Sequence, residues 1–113
     1  MDPYDIYYPG DDVVDILATD VYTEGFDQSN YEQLLKLAGT KPVALGEVGM
    51  PPFLSKLEEQ TRWVWFMRWS DTLHDWKSYK TIHDMLKSDR VMTFEELPWV
   101  DIKQIRIHDP IIK

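Results

Sequence analysis

The sequence predicts an α/β fold built on parallel strands, and three observations predict it. Strand-like and helix-like stretches alternate along the chain, the order expected when right-handed crossovers join parallel strands. The first strand-like stretch is apolar almost throughout, as a parallel strand covered on both faces is. The length, 113 residues, allows one small domain with a modest core. Two architectures satisfy this order: a small doubly wound sheet, or a piece of a (β/α)8 barrel. A whole barrel needs roughly 250 residues.

Residues 1–12 read as a loop, because Pro3, Pro9 and Gly10 stand among acids and "PGDD" is strong turn punctuation. "VVDILATDVY", Val13 to Tyr22, is the first strand, rich in β-branched residues. After the loop "TEGFDQSN", a helix is predicted from Asn30 or Tyr31 to Leu37. Tyr31, Leu34, Leu35 and Ala38 form its apolar stripe, Ser29 or Asn30 caps its start and Gly39 ends it. Pro42 to Val48 is the second strand, stopped by Pro51 and Pro52. Leu54 to Gln60 reads as a short helix. Trp63 to Ser70 is a third strand, too bulky and apolar for a surface. "DTLHDWKSYKTIHDMLKSDR" holds a last helix, with Tyr79, Ile82, Met85 and Leu86 on one face. "VMTFEELPW" reads as a short extended segment and a turn, and residues 99–113 as an extra strand or a tail.

Composition excludes several classes of function. A net charge of −8 argues against a nucleic-acid partner, which needs a basic patch. No apolar run approaches the length of a membrane span, and "MDPYDIYYPGDD" lacks the basic and apolar regions of a signal peptide. Without cysteine there is no disulfide framework and no thiolate chemistry. His74, His83 and His108 lack metal-ligand spacing, so neither a metal site nor a cofactor is expected. Asp11, Asp12 and Asp15 do not match a calcium loop and read as a solvated turn. Five Trp, six Tyr and four Phe remain, a set suited to a core or to stacking on flat ligands.

In parallel α/β folds the working groups gather at the C-terminal ends of strands. The first strand ends in "TDVY", where Asp20 and Tyr22 share parity and point to one side. The second ends in Glu47, flanked by Gly46 and Gly49, small residues that let something approach the backbone. The third ends in "RWSD", with Trp65, Met67 and Trp69 on one parity. Two carboxylates, a phenol and indole faces suit a sugar, by acid–base or nucleophilic chemistry and by stacking. Each residue also has a plainer role. Glu47 reads equally as a helix cap or a salt-bridge partner, Asp20 as a turn cap, Tyr22 as core, and the tryptophans as packing residues.

The blocks "YYPGDDVVDILATDVY", "YEQLLKLAGTKPVALGEVGMPP", "WVWFMRWSD" and "VMTFEELP", spanning Tyr7 to Pro98, together resemble the C-terminal part of glycoside hydrolase family 26 β-mannanases. The resemblance implies a partial (β/α)8 TIM barrel in which this chain supplies the last three βα units, strands six to eight. Residues 1–98 would belong to the catalytic barrel and 99–113 would lie beyond it. It also implies endo-hydrolysis of β-1,4-linked mannan by a retaining double displacement. Glu47 in "GEVG" matches the catalytic nucleophile, and the flanking glycines would give a sugar ring room. Tyr22 matches a tyrosine beside the nucleophile and Asp20 an acid on the same strand end. Trp69 matches the tryptophan that floors the cleaved subsite, with Trp65 a second candidate.

One part of the pattern is missing. Retaining glycosidases need two carboxyl groups about 5–5.5 Å apart. In the family the acid/base follows a histidine on the fourth strand, and no motif here matches it. Losing general-acid help costs about 10²–10⁴-fold. The chain is therefore expected to be part of a longer enzyme, Met1 not being its natural start, and to be inactive until the N-terminal barrel half joins it. Its open strand edges should leave it marginally stable alone, with Val43 and Leu45 facing a missing barrel wall. By family it would act outside the cell or at its surface. Two other readings stay open: a non-catalytic carbohydrate-binding piece that keeps the aromatic platform, and a doubly wound domain with helices on both faces.

Overall fold

The structure, a computed structural model, describes residues 3–22, 26–69 and 76–101. Its centre is a parallel sheet of three strands, β1 (Leu17–Val21), β2 (Val43–Val48) and β3 (Trp63–Arg68), in chain order. Between them run α1 (Gln28–Ala38) and α2 (Leu54–Glu59), and α3 (Trp76–Leu86) follows. Single 3-10 turns lie at Tyr4–Tyr7 and Phe94–Glu96.

One face of the sheet carries the core. Leu17, Val43, Leu45, Val48 and Trp63 pack in one cluster with Tyr31, Leu34 and Ala38 of α1, Leu57 of α2 and Met85 of α3. Three helices thus contribute to a single layer, while Ala18, Asp20, Val64, Trp65 and Met67 on the strands are exposed. A doubly wound sheet needs helices on both faces. This one-sided cover is the plan of a barrel wall. It also corrects the expectation that the first strand is covered on both faces, and the placing of Val43 and Leu45. Both are fully buried against the helices, because their strand positions alternate away from the open face.

The remaining differences from expectation have local causes. The first strand starts at Leu17 rather than Val13. Gly10, at φ 123°, opens a turn closed by Val13 N–H donating to Gly10 O at 3.3 Å, and this turn takes Val13 out of the sheet. Helix α1 starts earlier than predicted, because Asp27 caps it. Its carboxylate accepts from Ser29 N–H at 2.8 Å, satisfying an N-terminal donor. Gly39 ends the helix as expected, at φ 58°. Among the described side chains of α3, Thr81 and Met85 are buried, one turn apart. Tyr79 and Leu86 flank that narrow seam and are exposed. The tail predicted over residues 99–113 lies almost wholly outside the described residues.

Polar bonds tie the end of α2 and the start of β3 to α1 and the loop before it. Gln60, 1% exposed, donates to Phe26 O at 3.0 Å and accepts from Trp63 Nε1–H at 2.9 Å. Tyr31 stacks obliquely on Trp63, ring centres 5.1 Å apart, and its hydroxyl accepts from Arg62 N–H at 3.0 Å. Buried polar atoms placed this way are satisfied and fix the crossovers.

Candidate active site

β2 is not a regular strand, and its irregularity decides where Glu47 points. Simple alternation from Val43 and Leu45, both in the core, would turn Glu47 inward with them. The register is otherwise. Thr19 pairs with Leu45, but the next residue, Asp20, pairs with Glu47, so Gly46 is an extra residue in β2. A bulge of this kind shifts side-chain direction by one position. Val48 thereby enters the core, fully buried, and Glu47 is left half-buried on the open face.

On that face the strand ends converge. Tyr22, just beyond β1, donates its hydroxyl proton to Glu47 Oε2 at 2.5 Å. The bond pushes the Tyr22 phenol up to about 12. Partial desolvation and the negative charges of Glu47 and Asp20 act in the same direction. The phenol therefore stays protonated across the neutral range and remains a donor. Asp20 stands opposite Glu47 in the register and is exposed. Asp20, Tyr22 and Glu47, each read from the sequence as lying at a strand end, are one cluster.

The tryptophans divide. β3 also slips register between Trp63 and Phe66, which leaves Trp63 in the core and Trp65 and Met67 exposed. Trp69 follows the last residue of β3, its N–H donating to Val48 O at 3.3 Å, and stands 45% exposed at the same rim as Glu47. Trp65 lies lower, level with Ala44 and Leu45. It lines a groove of about 370 Å³ beside β3 with Leu86, Arg90 and Met92.

Sequence reasoning missed a second polar cluster at the opposite end of the sheet. Lys41, just before β2, donates to Asp11 O at 2.6 Å and pairs with Asp11 Oδ1 at 3.4 Å. Tyr8 O–H donates to the same carboxylate at 2.5 Å. The turn of acids at Asp11 is solvated, as read, but its first carboxylate is also latched. Its hint in the sequence was a lone lysine at the start of an apolar strand. Among the described residues no three His, Asp or Glu side chains gather as metal ligands, and no helix is long and apolar enough to cross a membrane.

A one-sided parallel sheet with a carboxylate, a phenol and an indole on its C-terminal rim marks an α/β protein with a carboxylate site. The sequence profile of glycosyl hydrolase family 26 matches residues 1–96. A mannan endo-1,4-beta-mannosidase of Thermothelomyces thermophilus is 38% identical over 103 residues, covering 84% of this chain and 21% of that protein. Among solved structures, GH26A of a Muricauda species superposes with a TM-score of 0.79 at 44% identity, over 84% of this chain and 31% of that one. The Podospora anserina GH26-CBM35 β-(1,4)-mannanase gives 0.70 at 34% identity, over 82% and 22%. The chain belongs to glycoside hydrolase family 26, the family its motif blocks resemble. It spans between about a fifth and a third of the length of these relatives.

Proposed function

We propose that this chain is the nucleophile-bearing part of an endo-β-1,4-mannanase that works with retention of configuration. The observation that carries the proposal is the 2.5 Å bond from the Tyr22 hydroxyl to Glu47 Oε2 on the open face of the sheet. The phenol holds one carboxylate oxygen, so that the other can present its lone pair to an anomeric carbon. Attack there forms the glycosyl–enzyme bond as the leaving sugar departs, and water later cleaves that bond. Asp20 and the Trp69 indole lie where hydroxyl groups and a sugar ring would need partners. Trp65 is a lower and more peripheral platform.

In this reading residues 1–98 supply the last three βα units of the barrel, and residues 99–113 lie beyond it. The acid/base comes from the fourth unit, outside this chain, so the chain alone is inactive. Its substrate is β-mannan and its place of action is outside the cell or at its surface. Support comes from the relatives, named as mannan hydrolases, and from a net charge of −8 that suits a neutral polysaccharide better than nucleic acid.

The test uses the complete enzyme that carries this chain. Glu47→Ala should abolish hydrolysis of galactomannan, and added azide should restore cleavage by taking the carboxylate's place, giving the mannosyl azide of inverted configuration. Undiminished hydrolysis by Glu47→Ala would remove Glu47 as the nucleophile.

A further inference from the structure

Gly46 and Gly49 bracket Glu47, and neither is there for a special backbone angle. The described glycines with positive φ are Gly10 and Gly39. What Gly46 and Gly49 lack is space for a side chain. A Cβ on Gly46 would lie 2.8 Å from Asp20 Oδ1, with Ala18 Cβ and Thr19 O farther off, at 3.5 and 3.7 Å. A Cβ on Gly49 would lie 3.0 Å from Tyr22 Cδ1, 3.4 Å from Tyr22 Cα and 3.6 Å from Tyr22 O. The room beside these glycines is thus already filled by the two side chains that flank Glu47.

We propose that Gly46 and Gly49 are positioning residues, two bare seats on which the Asp20 carboxylate and the Tyr22 ring rest beside Glu47. The inference rests on the function proposed for Glu47 but concerns how its neighbours are held. Alternatives for the seats are limited by the backbone. Gly49 N–H donates to Val21 O at 3.0 Å, which holds β1 and β2 together at this level. A methyl group on Gly49 is therefore relieved mainly by tilting the ring, which moves the hydroxyl that donates to Glu47. At Gly46 the carboxylate alone must move, since every other contact is ordinary.

Two double-mutant cycles in the complete enzyme test the seats. Gly49→Ala should lower kcat by about 10-fold to 10²-fold, the effect of displacing an active group by about 1 Å. It should also return the high-pH titration of Tyr22, isolated by subtracting the Tyr22→Phe counterpart, toward that of an ordinary tyrosine. Gly46→Ala should cost a similar factor alone and nothing further on an Asp20→Ala background. Equal losses on both backgrounds, or an unchanged Tyr22 titration in Gly49→Ala, would overturn the proposal. If Gly49→Ala fails to fold, the Gly49→Ala, Tyr22→Ala double variant decides. Recovery of folding supports the seat, and failure shows a backbone requirement instead. The titration needs no substrate, so it stands or falls apart from the activity of Glu47→Ala.

Discussion

Two tyrosines donate to carboxylates at opposite ends of this sheet, and both bonds are 2.5 Å long. Tyr8 and Asp11 are three residues apart in one turn, whereas Tyr22 and Glu47 are separated by 25 residues and join neighbouring strands. Charge separates them further. Lys41 lies against the first pair and opposes the rise of the Tyr8 phenol, while Asp20 adds to the rise at Tyr22. A carboxylate matched by a lysine is a latch, electrostatically complete. A carboxylate held by a phenol and faced by a second acid is not matched in this way. Similar bond lengths therefore say little about role, and the surrounding charge says more.

The contrast breaks most clearly at the acids themselves. In the complete enzyme Glu47→Gln should lower mannan hydrolysis by on the order of 10⁴-fold or more. Asp11→Asn should leave kcat/KM unchanged within about twofold, as expected far from the reacting groups. Equal losses would erase the distinction between the two ends. The donors come next. Tyr22→Phe should cost about 10-fold to 10²-fold in kcat by freeing the Glu47 carboxylate to rotate. Tyr8→Phe should leave kcat alone and lower only the unfolding midpoint.

Titration sharpens the comparison with smaller effects. The value for Tyr22, about 12, lies above its ordinary 10.0, so its bond to Glu47 is intact below pH 10 and is lost as pH rises through about 12. Spectrophotometric titration should show a late phenol that Tyr22→Phe removes. At the other end the sign reverses. The Tyr8 bond and then Lys41 hold Asp11 below its ordinary 3.8, so its contribution is present above that value and lost as pH falls through the lowered one. Lys41→Met should move the Asp11 titration, followed by carboxyl NMR, part of the way back toward 3.8.

How far the sequence could be read follows from what each signal encodes. The order of strands and helices was legible, because apolar runs and turn residues report local structure directly. The stripe of α1 was legible too. Val13 misled because β-branched character cannot outweigh the turn that Gly10 imposes upstream. Tyr79 and Leu86 misled because helical spacing marks a possible face, and the packing partner decides how wide a face is used. The convergence of Asp20, Tyr22 and Glu47 at strand ends was readable from parity on β1. The direction of Glu47 was not, since an extra residue in β2 depends on hydrogen-bond register with β1, a relation between distant segments. The Tyr8–Asp11–Lys41 latch depends on the same kind of long-range placement.

That extra residue has a practical consequence for anyone transplanting this strand into another scaffold. A host that accepts "VALGEV" as six evenly pleated residues would swing the acid under the helical layer and turn Val48 out to water. A graft must carry the slip at Gly46 with it, along with enough of β1 to enforce the slip. Matching the letters alone would deliver a buried, uncompensated charge where one on the open face was wanted.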